Sequence, residues 1–106
     1  MPITPIHLRD HLTGESPKEI RTVLADDRRK LVLIALRGGA LMAAHKALHP
    51  ITIHCLEGAG ELRIGDQSVD LAPGTIVPLD AEVVHEVLGK PDLTLLVTMF
   101  RPVKSP

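Results

Sequence analysis

Between Lys30 and Phe100 every apolar segment is soon interrupted by glycine, proline or aspartate, and this punctuation constrains the fold more than any other property of the chain. LVLIAL stops at Arg37-Gly38-Gly39, residues 51–57 follow Pro50 and stop at Gly58-Ala59-Gly60, and residues 61–64 and 68–71 flank the hairpin loop Gly65-Asp66-Gln67. Pro73-Gly74 makes the next turn. Segments 75–79, 83–88 and 93–100 complete the series, with Pro91 in the last gap and Pro102 and Pro106 marking a tail that leaves the sheet. Runs this short, rich in β-branched residues and bounded by turn formers, read as strands. About seven or eight of them with no helices between exclude a parallel sheet and leave an all-β sandwich or barrel.

The N-terminal stretch reads differently. Thr4 is placed to cap a helix that Pro5 opens, with Ile6, Leu8 and Leu12 near one face and Gly14 as its stop, so a short N-terminal helix is expected. Ser16-Pro17-Lys18-Glu19 has the form of a capping box for a second helix through Ile20, Val23 and Leu24, yet Arg21 to Leu24 suits a strand equally well. A chain of 106 residues is one domain, burying roughly 65% of the surface its unfolded form exposes. No repeat, Ser/Gly spacer or long charged stretch divides it, so a single domain over 1–106 is expected, with a barrel at about 30–100 and an extension at 1–29.

Composition excludes several function classes. A net charge of −1 gives no electrostatic footprint for nucleic acid, and Phe100, the only aromatic residue, builds no stacking platform for bases. No apolar run approaches bilayer length, so no membrane partner is expected, and the first residues lack the basic start and apolar stretch of a signal peptide, which makes a cytoplasmic location the expectation. Cys55 is the sole cysteine and forms neither an internal disulfide nor a thiolate cluster. There is no Gly-x-Ser-x-Gly elbow, phosphate loop or dinucleotide fingerprint.

The remaining punctuation carries a pattern. Gly39 is followed after five residues by His45, and Gly58 lies further on; Gly74 and then His85 follow. In these residues the chain resembles the cupin family, whose small jelly-roll barrels carry two motifs: Gly, five residues, His-x-His, three or four residues, Glu, six residues, Gly; then Gly, five residues, Pro-x-Gly, two residues, His, three residues, Asn. The phrases AAHKALHPITIHCLEGAGEL and LAPGTIVPLDAEVVHEVL are similar to those of small single-domain bacterial cupin-like proteins. The resemblance implies an all-β, single-domain jelly-roll barrel spanning about residues 30 to 100, preceded by a short helical segment. It also implies four metal ligands, of which His45 and His85 are present. Where the motifs have their second histidine and glutamate this chain has Ala47 and Ile51, their proline and glycine are Asp80 and Glu82, and their asparagine is Gly89.

A divalent transition metal needs three or four donors, so a third is expected on the strand parity of His45. Positions 45, 47, 49, 51, 53 and 55 share a face if the chain stays extended, which makes His49 the candidate that completes a His45, His49, His85 site for zinc, iron, manganese or nickel. The competing reading puts His49-Pro50 in a surface turn. His54 has the opposite parity, Cys55 reads as a small core hydrophobe, and His7 with His11 as a solvated helix face. Glu82 and Glu86 flank His85 as gating or merely solubilising charges, and Lys46 has no visible partner for Schiff-base chemistry. A cavity lined by Leu41, Ala43, His45, Ala47, Ile51, Ile53, Cys55 and His85 is expected to bind a small molecule, aliphatic or carboxylate because no aromatic faces it. Two alternatives stand beside it: a metal-dependent dioxygenase- or isomerase-like enzyme, and a metal-free structural or sensory domain. A homodimer is expected, since a small barrel with apolar strands covers one sheet against a copy.

Overall fold

The computed structural model describes residues 2–103, so Pro106, one of the two tail prolines, lies outside the described residues. Among the described residues seven strands follow one 3-10 turn at Leu8–His11: β1 Lys18–Ala25, β2 Arg29–Leu36, β3 Leu41–His45, β4 Ile51–Ile64, β5 Gln67–Leu71, β6 Ile76–Leu79 and β7 His85–Phe100. All pairings are antiparallel. The jelly roll follows from the two long strands, which bend and serve both layers. Residues 93–100 of β7 lie between β2 and residues 51–58 of β4, with β1 outside β2 and β6 outside β4. Residues 85–88 of β7 lie between β3 and residues 61–63 of β4, with β5 beyond.

The bend explains why Gly58-Ala59-Gly60 is not the turn its composition suggests. Gly58 has φ +82°, and a Cβ there would overlap the Asp92 carbonyl oxygen; a Cβ on Gly60 would lie 2.6 Å from the carbonyl oxygen of Leu88. Glycine lets β4 and β7 cross at van der Waals distance while both change layers, with bulges at Cys55/Glu57 and Gly58/Gly60 taking up the curvature. Residues 61–64 are therefore the end of the bent strand β4 and residues 85–88 the start of the bent strand β7, with residues 83 and 84 before it, and the gap at Pro91 lies inside β7.

The core forms where inward residues of the two layers meet: Ile34, Leu36, Ile51, Ile53, Cys55, Leu62, Leu71, Val87, Leu93 and Leu95 are all buried. Their positions alternate along each strand as half-buried strands require. Leu33 and Ala35 are also buried, but on the opposite face of β2.

That outer face is covered by the N-terminal segment. Leu8 and Leu12 sit against Leu33, Leu56 and Thr94, and Arg9 pairs with Glu57. The expected N-terminal helix is reduced to the single 3-10 turn, because so short a segment gains more from laying two leucines on the sheet than from helical bonds of its own. The second possible helix is strand β1, so the sheet begins at Lys18, inside the stretch expected as an extension. Glu19, read as half of a capping box, is instead a fully buried carboxylate. It accepts from the Thr13 N–H at 2.8 Å, the Thr13 hydroxyl at 2.9 Å, the Gly14 N–H at 3.0 Å and the Arg37 guanidinium at 2.5 Å. These donors hold its pKa down at about 2.

Candidate functional site

His45 ends β3 and His85 begins β7, and the pairing of those strands sets the two residues opposite each other, with ring centroids 4.4 Å apart and planes inclined by 54°. Each ring is oriented by a carbonyl two residues back. Nδ1–H of His85 donates to Val83 O at 2.9 Å and Nδ1–H of His45 to Ala43 O at 3.0 Å, which leaves both Nε2 atoms as free lone pairs. His85 is buried; burial holds its pKa below the ordinary histidine value, the Val83 carbonyl opposes that shift, and the neighbouring His45 adds to it. His45 is exposed.

Beside His45 the two layers fail to meet and enclose a cavity of about 390 Å³. One wall is the inward row of the first layer, including Val32, Ile34, Ile51, Ile53, Val97 and Met99; the other is Met42, Ala47 and Val87, and Ile20 of the edge strand β1 lies at the margin, half exposed. Only His45 and Lys46 bring polar side chains to it. The loop before β7 is held close by a hydrogen bond from the Glu82 N–H to Ala47 O at 2.8 Å, for which Glu82 adopts a positive φ of 65°.

Of the residues expected at a cavity, His45, Ala47, Ile51 and Ile53 line this one. Leu41 and Ala43 do not; both are exposed, and Met42 takes the wall position instead. The cause is a register shift between Met42 and His45, which lets two residues of unlike parity face the same space. Cys55 and His85 are buried beside the cavity without forming its wall, and burial raises the Cys55 thiol pKa. His49 lies partly exposed in the β3–β4 loop, where Pro50 follows it, and the strand parity that recommended it does not extend across that loop. His54 faces outward between Ile76 and Leu96, and His7 and His11 flank or end the exposed 3-10 turn. The wall residues of β2 and β7 were missed: alternation in Val97-Thr98-Met99 carried the signal, whereas Val32-Leu33-Ile34 is apolar throughout and does not reveal which face turns inward.

No protein-family model and no curated protein matches the sequence. Solved structures do. An RmlC-like cupin protein from Desulfovibrio desulfuricans superposes with a TM-score of 0.74 at 24% identity, over 81% of this chain and 84% of that one. A cupin superfamily protein from Desulfitobacterium hafniense gives 0.75 at 19% identity, over 80% and 78%. An uncharacterized conserved protein with a double-stranded β-helix domain from Klebsiella pneumoniae gives 0.81 at 16%, over 93% and 90%. At these identities the likeness is one of fold: the chain has a cupin-like jelly-roll fold.

The donor set does not fit the metal that the cupin motifs imply. Two imidazoles stand together, and among the described residues no three donors from His, Cys, Asp and Glu are grouped to hold an ion. A transition metal at a protein site needs at least three such ligands. The two motif positions that lack donors, Ala47 and Ile51, are both part of the apolar wall. Space next to His45 is thus bounded by hydrocarbon where a metal site would have its donors.

Proposed function

We propose that this cupin-fold chain binds a small, largely aliphatic molecule in the cavity between its two layers, with no step carried by a metal. The observation that carries the reading is the apolar cavity itself. Its volume of about 390 Å³ lies in the range of small-molecule sites, and nearly every side chain around it is hydrocarbon or thioether. A core of this size gains stability by closing such a space, so an open one at the edge of a well-packed interior is the mark of a binding site.

Thermal unfolding in the presence of short aliphatic alcohols tests the reading. A ligand that binds only the folded chain stabilises it by about 2.7 kcal/mol at a hundredfold excess over Kd. The midpoint should rise with alcohol concentration in the native chain and stay flat in Ala47→Leu, which fills part of the cavity without opening the core. A flat response in the native chain, or an equal rise in both, would sink the proposal.

A further inference from the structure

We infer that the ligand of this cavity is a medium-chain aliphatic carboxylate, its tail between the layers and its carboxylate at the Lys46 ammonium; the inference rests on the reading of the cavity as a binding site. Three observations converge on that chemistry. The wall offers no phenyl, phenol or indole ring, since Phe100 lies elsewhere, and its one ring, the His45 imidazole, already packs against that of His85 at 4.4 Å between centroids, so a flat ligand finds little to stack on. It offers no acidic side chain either, so a cationic head would find no partner. The charge it does offer is Lys46, exposed at the rim, which makes no ion pair among the described residues, whereas Lys90 is paired with Glu61.

An unpaired ammonium beside an otherwise apolar cavity selects an amphiphile with one anionic end. His45 stands next to it with its Nδ1–H already committed to Ala43 O, so it contributes an acceptor and not a second positive anchor in its neutral form. At roughly 30 Å³ per heavy atom, the share of a water in the liquid, the cavity takes on the order of a dozen heavy atoms. Octanoate and decanoate are of that size.

Isothermal titration of the full chain with butanoate, hexanoate, octanoate, decanoate and dodecanoate, and with octanol as the uncharged match, tests this. Affinity should rise about fourfold for each added methylene until the cavity is full, and then level off. Octanoate should bind up to about fivefold more tightly than octanol, as an exposed charge contact allows, and this preference should shrink at high salt. Lys46→Gln should abolish the preference and leave octanol binding unchanged, while Ala47→Leu should weaken both ligands. If octanol and octanoate bind alike and Lys46→Gln alters neither, the carboxylate assignment is overturned and the cavity remains a site for uncharged aliphatics. If neither binds to protein whose circular dichroism shows intact β structure, or if binding ignores Ala47→Leu, the underlying reading fails as well.

Discussion

The two ends of the interior are built from the same aliphatic side chains and end in opposite states. At one end Leu36, Leu62, Leu71 and Leu93 interlock with at most 1% of their surface exposed. At the other, Val32, Val97 and Met99 hold the same strand parity but are only partly buried and border a cavity. The difference lies in what stands opposite. Leucines reach across the closed end, whereas at the open end the facing positions are Met42, Ala47 and the imidazole of His45, of which Ala47 has the shortest side chain. Hydrophobicity alone does not distinguish packing from binding; the length of the opposing side chain does.

The sharpest way to break this contrast is to attack the closed end. Leu62→Ala should cost about 2–5 kcal/mol in urea unfolding, because the removed methyl groups leave a void in a region that cannot collapse. An effect below about 1 kcal/mol would mean that this end is also loosely packed. Gly58→Ala, at the crossing that both ends share, should cost about 1–2 kcal/mol for the left-handed backbone alone, with the overlap on Asp92 adding to it.

The pH dependence of stability separates the core from its N-terminal cover. The Glu19 pKa is lowered from 4.5 to about 2 by the Thr13 N–H, Arg37 and the Gly14 N–H, so its contribution is full above pH 4.5 and is lost as pH falls towards 2. Glu19→Gln should flatten the melting midpoint of the native chain across that acid window. A profile unchanged by the substitution would detach Glu19 from the anchoring of residues 13–14. The smallest effect is expected at the open end: Val97→Ala should cost about 1 kcal/mol or less, since it enlarges a space that already exists. A loss as large as that of Leu62→Ala would show the two ends to be equally packed. Metal analysis of untagged protein should find well under one equivalent of any transition ion, and a stoichiometric ion lost on His85→Ala would revive the metal reading.

Much of the fold was legible because strand formation is a local matter of alternation and turn chemistry. LVLIAL, ITIHCLE and LTLLVTMF announce β2, the first half of β4 and the second half of β7 directly. The convergence of residues 45 and 85 was legible only through the spacing of the glycines and histidines around them. Parity extended from position 45 did not place Leu41, Ala43 or His49, because it passes through a bulge between Met42 and His45 and a loop at Pro50, of which only the loop has a local signature; Cys55 keeps the inward parity of Ile51 and Ile53 but lies in the core and not on the wall. The role of Glu19 stayed open for a similar reason: a capping box and a buried carboxylate clamp use the same residue, and Arg37, which distinguishes them, is 18 residues away.

Neighbours a few residues apart are enough to specify that this chain forms strands with no helices between them, where most of them start and stop, and that its interior is aliphatic. That Met42 and His45 share a wall, that Glu19 is buried, and which end of the interior stays hollow are settled by long-range packing. Those outcomes depend on side chains brought together by the crossing of β4 and β7, and no local pattern records how far a residue on one layer reaches towards the other.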